Sequence, residues 1–176
     1  ALLEAVTTLR NGAWADANTF LLDEMAELGY QEPIHMSGVL QAVAPVVVET
    51  VLPPARQLRA IVNSRPFDGA LLKDWAAGLQ REDIRRIHGA IQLGMIAGEG
   101  SEAIARRVIG TNALRGTDGV LQMTRRQVEA ITRTAVQHIA NNARNDFMVE
   151  NADVLTGEMF VATLDRVISW AALPLA

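Results

Sequence analysis

The chain has 176 residues, 49% hydrophobic and 20% charged, the make-up of a folded domain and not of a disordered one. Its 16 basic and 20 acidic residues leave a formal charge of −4, which argues against a protein that coats nucleic acid by bulk charge. With no Cys there is no disulfide framework, thiol catalysis or thiolate metal site, and with only 5% aromatics the core must be built from Ala, Leu, Ile and Val. No apolar run approaches the roughly 20 residues that span a bilayer. No membrane partner is therefore expected. No signal peptide precedes Ala1, and because the chain does not begin with Met, a true N-terminus is expected to be missing.

Residues 1–28 read as a helix closed by Gly29, with Leu2, Leu9, Ala13, Phe20 and Met25 on its buried side. Glu32–Pro33 opens a new segment. Residues 36–52 are apolar on nearly every side, and their β-branched VVVETV run could pass for a strand. The reading preferred is a buried helix interrupted by Pro45; a membrane hairpin fails because the stretch is short and contains Glu49. Pro53–Pro54 is a stop, residues 55–63 a short helix, and Ser64–Arg65–Pro66 a turn. Leu71, Leu72, Trp75 and Leu79 place a helix over 67–79, and Ile84, Ile87, Ile91 and Met95 form a second seam over 80–97. The charges of Glu82–Asp83 and Arg85–Arg86 read as solvated helix surface.

Gly98–Glu99–Gly100 breaks the chain, and Ser101 is read as the cap of a short helix ending at Gly110. A phosphate-binding loop fails here, since GEGSEAIARR has no Lys–Ser/Thr pair and no strand precedes it. After a loop over 112–122 comes the longest stretch free of Pro and Gly, 124–151, on which the rest is organised. Thr124 and Gln127 read as a capping box. At about 100° per residue, Val128, Ile131, Ala135, Ile139 and Val149 share one arc, widened by Val136, Ala143 and Phe147. Arg126, Arg133 and Arg144 fall opposite, a basic outer stripe. Asn142 lies inside the apolar arc and must bond a neighbouring element, because an unpaired buried amide costs roughly 1–3 kcal/mol.

Past Asn151, Gly157 precedes a β-rich stretch, so a small β element is expected near 158–165. Residues 166–176 carry Ile168, Trp170, Leu173 and Leu175, too apolar to lie free in water, and are expected to be buried on the body or in a partner. The fold class is thus mainly α, with a helical segment 1–64, a helical core 65–165 and an apolar tail 166–176.

Chemistry is hard to place on these residues. His35, His88 and His138 lack ligand spacing, and Asp23–Glu24, Glu82–Asp83 and Asp165 are not paired for acid–base work. Ser101 has no supporting His or Asp. No catalytic, metal or cofactor residue is expected. Arg126, Arg133 and Arg144 remain as candidate partner or phosphate contacts, and Thr124, Gln127 and Asn142 as structural polar groups.

From Ile84 onward, IRRIHGAIQLGMIAGEGSEAIARRVIGT, the loop to GVLQ and MTRRQVEAITRTAVQHIANNARNDFMVENADVLTGEMFVATLD resemble the phage minor head proteins, the head morphogenesis family. The signature-like blocks are the Thr before RRQ, the RTAVQHIANNAR core and the G-x-x-F-V-A-T-L-D stretch; the upstream VVVETVLPPARQLRAIVNSRPFDGALLKDWAAGL is similar in a less specific way. The resemblance implies a virion component assembled in the host cytoplasm and held at the portal protein or major capsid protein in a multi-subunit particle. Its role there would be head assembly or delivery of viral DNA, without catalysis. Members usually continue the Leu–Asp pair with an Arg–Thr and cysteine-containing segment. Here Asp165 is followed by RVISWAALPLA, so no cysteine role carries over.

Overall fold

Prolines set the helix ends in the first half of the chain, because the residue before a proline is pushed out of the helical region. In the computed structural model, which describes residues 1–155, the helices are α1 (Leu2–Val43), α2 (Ala55–Ser64), α3 (Leu72–Ile96), α4 (Ser101–Ile109) and α5 (Leu121–Glu150). Helix α1 stops where Ala44, preceding Pro45, turns extended at φ −71° and ψ 135°. Helix α2 starts after Pro54 and stops where Arg65, preceding Pro66, adopts φ −115° and ψ 106°. The fold is mainly α, and no strand occurs among the described residues. The β element expected near 158–165 and the tail 166–176 lie outside them.

Several elements differ from expectation, each for a tertiary reason. Gly29 does not close a helix: α1 runs through it and through Pro33, and both residues are buried. A Cβ on Gly29 would stand 3.0 Å from the Leu58 carbonyl oxygen and 3.3 Å from Ile139 Cγ2. The glycine is there for the close crossing of α1 over α2 and α5. The buried side of α1 is Trp14, Met25, Gly29 and Pro33, whereas Leu2, Leu9 and Phe20 are mostly exposed. The expected buried helix over 36–52 is instead the end of α1 followed by an extended, largely exposed run.

A tight turn at Asp68–Gly69, both residues at positive φ, is closed by mutual backbone hydrogen bonds of Phe67 and Ala70 at 3.0 and 3.2 Å. It delivers one continuous α3 in place of two helices. In the seam Ile84, Ile87, Ile91 and Met95, Ile87 and Ile91 are buried, while Met95 is 61% exposed near the helix end. That end is a paired-hydrogen-bond cap: Gly98 at φ +68° gives its N–H to Met95 and the Glu99 N–H reaches the Gly94 carbonyl. Ser101 is the first helical residue of α4, and Gly100 holds the cap position.

The core gathers Met25 of α1, Leu58, Ile61 and Val62 of α2, Phe67, Leu72 of α3, and Ala135, Ile139 and Ala143 of α5. These residues come from both sides of residue 64, so the two helical segments share one core. On α5, Ala135, Ile139, Ala143 and Phe147 are buried, Val128, Ile131 and Val136 half-buried, and Val149 exposed because it falls to one side of the buried face that Ile139, Ala143 and Phe147 define.

Replacing Gly29 by Val forces side-chain atoms against the Leu58 carbonyl. We expect a loss of about 1–3 kcal/mol, read as a lower urea midpoint, with the helical circular dichroism retained.

Candidate functional site

The most concentrated polar arrangement lies where α1, α3 and α5 cross. Asp83 of α3 is 1% exposed, so its carboxylate depends on protein donors. Arg10 of α1 donates through Nε at 2.8 Å and Nη2 at 2.5 Å to Oδ2. Trp14 Nε1 donates to the same oxygen at 2.9 Å, and the Thr124 hydroxyl donates to Oδ1 at 2.9 Å. The charged neighbours of Asp83 in sequence predict a solvated surface residue. It is the opposite, a buried acceptor joining three helices.

The same interaction corrects the reading of Thr124 and Gln127. Helix α5 begins at Leu121, so Thr124 lies within it and caps nothing. Its hydroxyl is committed to Asp83, and the Gln127 side-chain oxygen accepts from Arg86 of α3 at 2.8 Å. Asn142 behaves as expected: its Oδ1 accepts from Arg65 Nη1 at 2.8 Å, and its Nδ2 donates to the His138 carbonyl at 2.7 Å. Arg65 also pairs with buried Asp146 through Nη2 at 2.6 and 2.9 Å, and Gln57 of α2 donates to Asp146 at 3.1 Å. His138 lies 3.2 Å from the Arg65 carbonyl and stacks at a tilt on Phe67. His88 meets the Thr7 hydroxyl at 2.8 Å, and His35 is exposed.

The basic stripe is shorter than its helical spacing suggests. Arg126 and Arg133 are exposed and make no ion pair among the described residues, but Arg144 is bonded through Nε to Glu32 of α1 at 2.6 Å. Arg125, next to Arg126 in sequence but about 100° round the helix from the stripe, pairs with Glu129 at 3.0 Å. Beside Asp83, a shallow groove of about 380 Å³ between α1 and α5 is lined mainly by Ala13, Trp14, Ala17, Leu121 and Val128. Arg10, Thr124, Arg125 and Glu129 complete its lining. Among the described residues there is no group of three or more metal-ligating side chains, and no helix is long and apolar enough to cross a membrane.

Sequence reading missed Asp83, Asp146 and Asn151. Asn151, 1% exposed, bonds both the N–H and the C=O of Val51 at 2.6 and 2.8 Å. A buried partner a hundred positions away leaves no local signal. For Asp83 one signal did exist: its position i−4 from Ile87 places it on the buried seam of α3.

No family model, curated protein or solved structure matches this chain.

Two predictions follow from this geometry. Asp83→Leu leaves Arg10, Trp14 and Thr124 without their acceptor, and because Arg10 keeps some access to water we expect a cost near 3 kcal/mol in urea unfolding. Adding Arg10→Met should recover part of that loss. The second concerns acid. A side-chain hydrogen bond from Arg107 holds Glu99 below its ordinary value of 4.5, and the backbone N–H of Thr111 holds Asp118 below 3.8. Both folded values are depressed, so their stabilisation is complete above those ordinary values and is lost as pH falls through the lowered ones. Protection factors of the 110–119 loop amides, corrected for the intrinsic pH dependence of exchange, should therefore fall below about pH 4, before those of the α5 core.

Proposed function

We propose that this chain is a structural minor head protein of a phage, bound to the portal protein or the major capsid protein and acting in head morphogenesis or DNA delivery. The reading starts from the resemblance of residues 84–165 to the head morphogenesis family. The observation that carries it furthest is apolar exposure at one end of the helical body. Leu93, Met95 and Ile96 at the end of α3 are 60%, 61% and 84% exposed, Ile109 at the end of α4 is 62% exposed, and Met123 in the first turn of α5 is 56% exposed. Helix α4 buries none of its residues, although it sits on α3. Large side chains left in water at one end of a protein mark a surface used with partners. No catalysis is assigned to the domain, and its place is the assembled head after synthesis in the host cytoplasm.

The competing reading is a nucleic-acid-binding module with Arg126, Arg133 and Arg144 on phosphates. Glu32 already neutralises Arg144, which leaves two exposed arginines on a chain of formal charge −4. Two phosphate contacts predict a log–log salt slope of about −1.8.

Co-expression with portal and capsid proteins tests the proposal. The full chain should sediment with portal rings or assembled heads, and the double substitution Leu93→Glu and Ile96→Glu should abolish this while leaving the melting temperature within about 2 °C. Absence from the particle would overturn it. DNA binding with a slope near −1.8, lost in Arg126→Ala/Arg133→Ala, would establish the competing reading.

A further inference from the structure

The groove between α1 and α5 opens outward onto an uncovered apolar face. On α1, Leu2, Leu9, Ala13 and Phe20 share one stripe, because steps of four and seven residues return to nearly the same side of a helix. Ala13 lines the groove, so the stripe runs beside it. Leu9 and Phe20 are 74% and 68% exposed, and Leu2 is exposed too.

The two walls of this face carry opposite charge. Asp16 and Asp23 stand one turn before and after Phe20 on α1. On α5, Arg126 and Arg133 stand one turn before and after Glu129, which lines the groove and is itself paired with Arg125. All four flanking charges are exposed, and none makes an ion pair among the described residues. The walls also match in height. Gly29 packs at Ile139 and Glu32 bonds Arg144, so α1 and α5 run side by side in the same direction. Counting back equally along both helices from Gly29 and Ile139 sets Asp23 level with Arg133, and Asp16 level with Arg126.

A face with this pattern is complementary to itself. A two-fold axis parallel to the helices lays α1 of each copy on α5 of the other at equal height, with Asp16 facing Arg126 and Asp23 facing Arg133 on both sides. An axis across the helices would instead lay α1 on α1 and set acid against acid, which is unfavourable. Nucleic acid suits the face less well, since the acidic wall repels phosphate beside the arginines. From Leu2 to Phe20 the stripe is about 27 Å long, and two helices side by side are about 20–24 Å wide. That is on the order of 600 Å² per subunit, the lower end of the size that holds a specific dimer.

We infer that this face binds a second copy of the chain, forming a two-fold dimer in which the acidic wall of α1 and the basic wall of α5 cross-pair around Leu9 and Phe20. The inference does not rest on the phage reading, which uses the side chains at the end of α3. Sedimentation equilibrium of the full chain over about 1–100 µM tests it, and we expect a monomer–dimer equilibrium within that range. The reversals Asp16→Arg/Asp23→Arg and Arg126→Asp/Arg133→Asp should each raise the dimer Kd ~100-fold or more, because each sets like charges together. Mixed, the two variants should form a heterodimer about as tight as the parent dimer, since every facing pair is again opposite. Phe20→Ser, which leaves all four charges in place, should also weaken the dimer, by about 10-fold. A parent chain that stays monomeric to about 100 µM would overturn the inference whether or not the variants fold. So would a dimer that any folded variant leaves unchanged, which means a different surface, or two folded monomeric reversals that fail to combine, which means a different pairing.

Discussion

A carboxylate removed from water must be met by donors, and Asp83 is met by three side chains from two other helices. That requirement fixes how α1, α3 and α5 sit. Each donor reaches Asp83 only when its helix has one rotation and one height, so a slip of α5 by a single residue would swing Thr124 about 100° away. The apolar core cannot impose this, because Met25, Leu58, Ile139 and their neighbours lie toward the other end of the long helices. At that end the interior of α5 is largely alanine, and small side chains permit approach without dictating register. Asp146, bonded by Arg65 and Gln57, supplies the matching constraint for α2 and the turn that follows it. Both buried acids thus act where volume alone is undecided.

The sequence made α5 legible because 30 helical residues without Pro or Gly leave the 3.6-residue period undisturbed. Its start was misplaced because a Thr with Gln three residues on has the form of a cap, while the hydroxyl was claimed by an acid 41 positions upstream. The same competition explains α1. Gly29 and Pro33 have the form of a terminus, yet burial against Leu58 and Ile139 carries the helix across both. Its inner face includes Arg10 and Thr7, which no hydrophobic pattern would select, because their partners Asp83 and His88 lie on α3. The short helix at 55–63, the stop at Pro53–Pro54 and the turn at Pro66 were readable because proline restricts the backbone covalently, whereas Pro45, expected to interrupt a helix over 36–52, instead follows the end of α1.

Candidate sites obeyed the same division. Asn142 was legible, since a buried amide on an apolar arc has to find a partner, and it found Arg65. The arginine stripe was legible as geometry but not as charge. Helical spacing does align Arg126, Arg133 and Arg144, yet Glu32, 112 positions before Arg144, takes the third out of use. Free charge is a property of the packed surface, and a sequence reports only where charges could be. This is why the formal charge of −4 and the stripe together argue more weakly for nucleic acid than the stripe alone.

Polar interlocks and exposed aliphatic side chains are two aspects of one arrangement. Helices oriented by buried hydrogen bonds need less apolar area between them, so side chains such as Ile96 and Ile109 can stay outside without the body losing its register. A protein held mainly by a wide apolar core would have drawn those residues inward. For the proposed role at a portal or capsid, side chains carried on formed helices lose less conformational entropy on docking than side chains on an unfolded segment would. Each aliphatic side chain fully covered would contribute roughly 1.5–3 kcal/mol before the cost of association is subtracted.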